Sequence, residues 1–204
     1  MRFTVPGRCA APLFSLLVLA FHGLAQGANT AAAPTVQQIQ TALDSSRAGD
    51  PSTAAEPMRV TDLRMCQPSP TIAGEMLCLI GTSTSKRDTY MVQALQQKKQ
   101  GDANVWVATG RKNDEFPPPK PAEAQAVMRA WAEEQVANNP QAAANPEVQA
   151  ARTTLRVTST GECILHGKTG HLACLATIAK PGQPDEETAM TFAIEGGRWR
   201  GARQ

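Results

Sequence analysis

The sequence predicts an α+β protein made of two tandem repeats, each with one helix followed by a roughly four-stranded antiparallel meander that carries a disulfide-tied hairpin. The motif Arg-Val-Thr occurs at residues 59–61 and again at residues 156–158. In both copies its valine precedes a cysteine by six residues, Cys66 in the first and Cys163 in the second. A helical stretch also precedes each copy. Because recurrence at a fixed spacing is typical of a duplicated unit, we expect the two blocks to share one fold.

We divide the chain into four segments. Residues 1–25 form a signal peptide, residues 26–111 the first helix-plus-sheet unit, residues 112–121 a proline-rich linker and residues 122–204 the second helix-plus-sheet unit. The linker contains three consecutive prolines. These favour a stiff, extended spacer over a motif recognised by a proline-binding partner.

The leading segment, residues 1–25, has the three parts of a secretory signal peptide. A basic start is followed by an apolar run over residues 12–21, and the small residues Gly23 and Ala25 precede a cleavage point after Ala25. The apolar run is too short for a transmembrane helix, which needs roughly 20 apolar residues. We therefore expect an exported protein, periplasmic or secreted, with no transmembrane segment after cleavage.

The charge balance argues against a nucleic-acid partner. The chain carries 20 Lys and Arg against 18 Asp and Glu, and two of the bases, Arg2 and Arg8, belong to the signal peptide. The remaining chain is neutral. A neutral chain lacks the basic surface by which proteins attract nucleic acid or anionic lipid.

Each unit is expected to begin with an amphipathic helix. In the second unit apolar residues recur at three- and four-residue steps after Pro121, which favours a helix start, and residues 138–140 end the helix. In the first unit residues 36–43 predict a shorter helix. Residues 139–148 are expected to form a loose connection. The apolar face of the second helix contains Ala124, Val127, Met128 and Trp131.

Strands are expected after each helix, since apolar residues alternate at period two around the cysteines. In the second unit the last hairpin turns at residues 195–197, where two glycines tolerate the positive φ of a tight turn, and leads to Trp199. The corresponding turn of the first unit lies at residues 99–104. The alternating positions are Met76, Cys78 and Ile80 in the first unit, and Leu155, Val157, Cys174, Ala176, Ile178, Met190, Phe192 and Ile194 in the second.

Four cysteines remain after Cys9 is removed with the signal peptide, and an even number in an exported chain predicts disulfides. Three pairings are possible on paper. Cys66 and Cys78 stand 12 residues apart, and Cys163 and Cys174 stand 11 apart, each pair across a turn-rich stretch. This spacing favours local pairing, Cys66 with Cys78 and Cys163 with Cys174, which ties two neighbouring strands together.

A zinc site is the alternative for the second pair, because Cys163, His166, His171 and Cys174 form the pattern C-x2-H-x4-H-x2-C. An oxidising compartment favours cystine over the thiolates that zinc requires. The first unit also keeps the cysteine spacing without any intervening histidine. We therefore expect disulfides at these positions, with no bound metal and no cofactor.

The sequence lacks recognisable catalytic motifs. With its cysteines paired, the mature chain offers no thiol nucleophile, and none of the patterns G-x-S-x-G, H-E-x-x-H, Walker A or G-x-G-x-x-G occurs. Adjacent carboxylates such as Glu133 and Glu134 diverge on a helix and cannot flank one substrate bond. We therefore expect that the protein is not an enzyme.

A binding role remains, with another protein of the cell envelope as the partner. Hairpins tied by disulfides present rigid loops, and rigidity lowers the ordering cost of association. The second hairpin has the better chemistry for contact, because His166, Lys168 and His171 place hydrogen-bond donors around two glycines. We expect these three side chains to be binding residues.

In layout the chain resembles the secreted beta-lactamase inhibitory proteins, which also duplicate a helix-then-four-strand unit with a cysteine-tied hairpin. The likeness concerns architecture and the 12-residue step from Cys66 to Cys78, not alignable sequence, and it implies an inhibitor. We therefore expect an exported inhibitor or immunity-type protein acting on a partner in the bacterial cell envelope. An accessory subunit of an envelope or secretion-system assembly is the alternative, and a small-ligand binder or an enzyme is the third.

Overall fold

The computed structural model describes residues 32–48, 57–113 and 115–202. The signal peptide expected at residues 1–25 lies outside them and stays a prediction. Within the described ranges no helix is both long and apolar enough to cross a bilayer. In chain order the elements are α1 (Val36–Ala48), β1 (Arg59–Pro68), β2 (Glu75–Ser83), β3 (Asp88–Gln100), β4 (Ala103–Asn113), β5 (Glu115–Phe116), α2 (Pro121–Asn138), a 3₁₀ helix (Pro140–Ala144), α3 (Pro146–Thr153), β6 (Arg156–His166), β7 (His171–Ala179), β8 (Glu186–Glu195) and β9 (Arg198–Gly201).

The predicted α+β class is confirmed, since the described chain contains three α-helices and two antiparallel sheets. Both sheets are meanders, with the strand orders β1-β2-β3-β4 and β5-β6-β7-β8-β9. The second sheet has five strands rather than four, because the short β5 extends it beside β6, where Phe116 pairs with Cys163. Phe116 is also buried, so the proline-rich stretch is anchored to the second sheet at its start.

The helical part of the second unit is larger than the single helix predicted. The loose connection expected over residues 139–148 is wrong, since this stretch holds the 3₁₀ helix and the start of α3. Each of these two elements begins with Asn followed by Pro. The side chains of Asn139 and Asn145 accept main-chain hydrogen bonds from Gln141 (3.1 Å) and Glu147 (2.8 Å). Asparagine caps and proline in the first turn both favour helix initiation, which explains the extra elements.

The first sheet is covered on both faces. On one face α1 packs against it, and the buried side chains of this cluster include Ile39, Leu43, Ile80, Leu95 and Trp106. The opposite face shares a core with the second sheet, α2 and α3. The described residues belong to a single compact unit that begins at Ala32. The shared core includes Leu77, Leu79, Val92 and Ala94 of the first sheet with Phe116, Met128, Val148, Leu172, Phe192 and Trp199.

The two disulfides join Cys66 to Cys78 and Cys163 to Cys174, as the spacing predicts. In both cases the two cysteines are directly opposite each other on neighbouring antiparallel strands, with their Cα atoms 4.0 Å apart. Three of the four side chains are fully buried, so the bridges lie inside the sheets rather than at the hairpin tips. A bridge that closes so short a loop contributes about 3 kcal/mol in the chain-entropy description.

Helix and first strand are joined by the same glutamine contact in both units. The side chain of Gln40 accepts from the main-chain N–H of Val60 (2.7 Å) and donates to the carbonyl two residues earlier (2.9 Å). The side chain of Gln125 does the same with Val157 (2.8 Å) and the carbonyl two residues before it (3.3 Å). The register of each first strand then shifts directly after that valine. Each helix is therefore tied to the start of its sheet in the same way.

Candidate functional site

A groove of about 1190 Å³ lies between α2 and the edge strand β9. β9 follows the two-glycine turn after β8 and is the last strand of the second sheet, so one of its sides is directed away from the sheet. The residues that line the groove come from α2 and from the β8–β9 hairpin: Glu123, Ala126, Val127, Ala130, Trp131, Glu134, Gln135, Glu195, Gly197, Arg198, Trp199, Arg200, Gly201 and Ala202.

The main chain of β9, which lines the groove, has hydrogen-bonding groups on its outer side. Ala202 donates its N–H to the carbonyl of Thr191 on β8, with a distance of 3.1 Å. Bonded and non-bonded pairs alternate along antiparallel strands, so Arg200 also exchanges bonds with β8, whereas Trp199 and Gly201 do not. The N–H and C=O groups of Trp199 and Gly201 therefore lie on the side of β9 that faces away from β8.

The α2 side of the groove is formed by small residues and one exposed tryptophan. Ala126 and Ala130 are exposed and leave space above the strand edge. Trp131 is 43% exposed, although it is a large aromatic residue. Beneath them, Trp199 is 7% exposed and packs edge-on against Phe192, with ring centroids 5.6 Å apart. The groove thus has an apolar centre between a helix and a strand edge.

Charged side chains surround this apolar centre. Glu123, Glu134 and Glu195 contribute carboxylates, and Arg198 and Arg200 contribute guanidinium groups. Glu123 also completes the start of α2, where its side chain accepts from the main-chain N–H of Lys120 at 2.8 Å. The mixed signs give the groove a polar rim, which is typical of protein–protein contact surfaces.

The hairpin at residues 166–171, where binding residues are predicted, joins β6 and β7 at the same end of the second sheet as the β8–β9 turn. His166 and Lys168 are exposed and His171 is half-buried. The glycines between them face the first sheet instead of solvent. The main-chain N–H of Tyr90 donates to the carbonyl of Gly167 at 2.6 Å, and this bond docks one side of the hairpin on β3. None of the three predicted side chains lines the groove.

Arg64 reinforces this junction between the sheets. Its guanidinium group donates to the Tyr90 hydroxyl (2.6 Å) and to the carbonyl of Ile194 on β8 (3.2 Å), and it forms an ion pair with Asp62 at 2.5 Å. The hydrogen bond with Tyr90 is the main cause that raises the pKa of Arg64 above its ordinary value. The shift favours the charged guanidinium group, which is the form that makes these contacts.

The described part of the chain also contains side chains of the kinds that bind metal ions. No three residues among its His, Cys, Asp and Glu side chains are grouped so that they could hold a metal ion. The Cys2His2 alternative is also lost, because the sulfurs of Cys163 and Cys174 are bonded to each other.

Comparisons with known proteins do not identify a relative from which a function could be inferred. No protein-family model matches the chain, and no curated protein or solved structure is significantly similar to it. Its function is therefore inferred from its own residues.

Sequence reasoning missed the groove because it placed Trp131 on the buried face of α2. The buried stripe of this helix is formed by Ala124, Met128 and Ala132, together with Val127, and Trp131 lies beside it. The four-residue steps from Ala124 to Met128 and Ala132 are a signal for this centre of the stripe. The contact of α2 with β9, which makes the groove, has no counterpart in local sequence.

Proposed function

We propose that this protein is an exported, non-enzymatic binding module, an inhibitor or immunity-type protein that acts on a partner protein in the bacterial cell envelope. The observation that carries the proposal is the open edge of β9 beside a groove in which Trp131 is exposed. We assign this groove as the partner-binding site.

An extended polypeptide segment is the occupant that matches the groove. The outward N–H and C=O groups of Trp199 and Gly201 repeat at the two-residue spacing of a β-strand edge. A partner segment that runs along β9 can pair with these groups, in the way that extended peptides add a strand to an exposed sheet edge. Small ligands do not offer donors and acceptors at this repeat.

Side-chain contacts are needed as well, because β9 has only four residues and supplies few main-chain bonds. Ala126 and Ala130 leave room for an apolar side chain of the partner above the strand. Trp131 stands beside this space, and tryptophan is among the residues that contribute most to binding energy at interfaces. Trp131 is therefore the proposed anchor of the complex.

Rigidity supports a binding role. The disulfide between Cys163 and Cys174 joins β6 to β7, the neighbour of β8, and the Phe116 and Phe192 rings pack against Trp199. A groove that is already formed before association loses little conformational entropy on binding. Disulfides are also typical of proteins that mature in an oxidising compartment, which supports export to the periplasm or beyond.

We further propose that the two units arose by duplication. The glutamine contacts of Gln40 and Gln125, the register shift after Val60 and Val157, and the position of both cystines across a strand pair are shared by the units. The second copy differs by its short last strand. β9 has four residues where β4 has eleven, and this difference supports a binding site specific to the second unit.

Site-specific photocrosslinking in the periplasm tests this proposal. The full-length precursor carries p-benzoyl-phenylalanine in place of Ala130 in the groove, or in place of Leu175 on the outward face of the second sheet as the control. We expect a crosslinked partner from position 130 and none from position 175, and its loss when Trp131→Ala is added. A crosslink from position 175 alone would contradict the assigned groove. A partner that belongs to a secretion assembly would favour the alternative role as an accessory subunit.

A further inference from the structure

His166 and His171 are the two histidines that remain once the signal peptide is removed, since the third histidine of the chain is His22. The structure places them directly opposite each other, as the last cross-strand pair of β6 and β7. Residues opposite each other on antiparallel strands present their side chains on the same face of the sheet, with Cβ atoms about 4.5–5.5 Å apart. The two imidazole groups therefore start from neighbouring positions on one face of this hairpin.

One threonine hydroxyl contacts both members of the pair. The Nδ1 atom of His166 lies 3.0 Å from Thr169 Oγ1, and the main-chain N–H of His171 donates to the same oxygen at 3.3 Å. When Nδ1 of His166 carries its proton and donates to Thr169, the lone pair of Nε2 is left for another partner. A hydrogen bond from the second ring nitrogen is the usual way in which a metal-binding histidine is oriented.

The hairpin that carries this pair is held on two sides. The disulfide Cys163–Cys174 joins the same two strands three residues before His166 and three after His171. The turn itself is docked on β3 by the hydrogen bond from Tyr90 to Gly167. The backbone of the pair is thus fixed before any ligand arrives, which lowers the entropic cost of binding.

We propose that His166 and His171 together form a two-histidine site for a divalent late transition-metal ion. Imidazole nitrogen is a preferred ligand for Cu²⁺, Ni²⁺ and Zn²⁺, and Cu²⁺ binds such a set most tightly. A metal–nitrogen distance of about 2.0–2.1 Å is within reach of two side chains at cross-strand spacing. Solvent molecules complete the coordination. This site uses no sulfur, so it is compatible with the cystine, unlike the Cys2His2 pattern.

Copper titration of the untagged mature protein, starting at Gln26, tests the site. Binding of Cu²⁺ is followed by calorimetry, and electron paramagnetic resonance reports the number of nitrogen ligands. We expect one tight site per chain with two imidazole nitrogens. His166→Asn and His171→Asn should each weaken binding at least tenfold, and Thr169→Val should weaken it several-fold to tenfold through the orientation of His166. The control Lys98→Ala, which removes an exposed lysine of the first sheet, should leave the affinity within twofold.

The double variant His166→Asn/His171→Asn measures the background binding of copper by the amino terminus and the main chain. Circular dichroism of each variant shows whether the fold is kept, and substitutions at this exposed turn are expected to keep it. Equal copper affinity in the wild type and the double variant would overturn the proposal. An unchanged affinity in either single variant would also overturn it, because one histidine would then bind the ion alone.

Discussion

The ring of Tyr90 occupies the position that a side chain at Gly170 would need. A Cβ atom on Gly170 would lie 2.8 Å from Tyr90 Cγ, and the backbone of Gly170 has a φ of +73°. Three residues earlier, Gly167 accepts the hydrogen bond from the Tyr90 main chain. The turn of the second hairpin therefore docks on the first sheet because a glycine leaves room for an aromatic ring.

Substitution of Gly170 by Ala should destabilise the protein by about 2–4 kcal/mol. The left-handed backbone costs about 1 kcal/mol for a residue with a Cβ atom, and the overlap with Tyr90 adds about 1–3 kcal/mol. Gly182→Ala is a matched control, because Gly182 has the same φ of +73° with nothing within 4 Å of its added Cβ. We expect about 1 kcal/mol there. Denaturant unfolding of both variants measures the difference.

A double variant separates the two causes at Gly170. In a Tyr90→Ala background the ring is absent, and Gly170→Ala should then cost no more than Gly182→Ala. An equal loss of stability for Gly170→Ala and Gly182→Ala in the wild-type background would show that the Tyr90 contact contributes nothing.

The two glutamine contacts should contribute equally to the two units. Gln40→Ala and Gln125→Ala each leave a main-chain N–H of the first strand without its acceptor, which costs about 1–3 kcal/mol when the group is shielded from water. Gln37→Ala, an exposed glutamine of the same helix as Gln40, serves as the control and should change stability by about 0.5 kcal/mol or less. Thermal or urea unfolding gives the values. A cost for Gln40→Ala that equals the control would show that the contact is not stabilising.

Partner binding should depend on Trp131. Trp131→Ala is expected to weaken the captured partner's affinity by about 2 kcal/mol or more, the scale of an interface hot spot. Leu175→Ala, which removes another large side chain that is 43% exposed, should have no effect on affinity. Titration calorimetry or surface plasmon resonance with the purified partner measures both. The melting temperature of each variant shows that the fold is kept.

The hairpin residues predicted from the sequence are the competing candidate for the partner interface. Substituting Ala at His166, Lys168 and His171 together should weaken the same affinity by about 1–2 kcal/mol if this turn contacts the partner. A full effect of the triple variant combined with no effect of Trp131→Ala would place the interface on the hairpin and away from the groove.

Export and disulfide formation should occur together. We expect the mature amino terminus near Gln26, release of the protein by osmotic shock, and no free thiol in the mature chain. Non-reducing peptide mapping should recover the cystines Cys66–Cys78 and Cys163–Cys174 and no bridge between the units. Uncleaved protein in the cytoplasm with four titratable thiols would contradict both the compartment and the pairing.

Features that depend on near neighbours in the chain could be predicted well. The spacing of Cys66 from Cys78 and of Cys163 from Cys174 predicts the two local bridges. Period-two alternation predicts antiparallel hairpins. The 3₁₀ helix and α3 were missed, although their Asn-Pro starts at Asn139 and Asn145 are visible in the sequence. These properties follow from main-chain conformation and short loops, whose energies involve only a few consecutive residues.

The shared core and the groove required the tertiary structure. Arg64 donates to the carbonyl of Ile194, a residue 130 positions away. The helix α2 and the strand β9, which line the groove together, are likewise far apart in the sequence. Whether Trp131 is buried depends on where α2 lies relative to β9, and no periodicity in the helix encodes that position. Packing energy depends on which surfaces meet in space and not on sequence distance. For that reason the sequence predicts the α+β class and the two local bridges, whereas the core shared by the two sheets and the groove beside β9 are decided by how the sheets and α2 pack together.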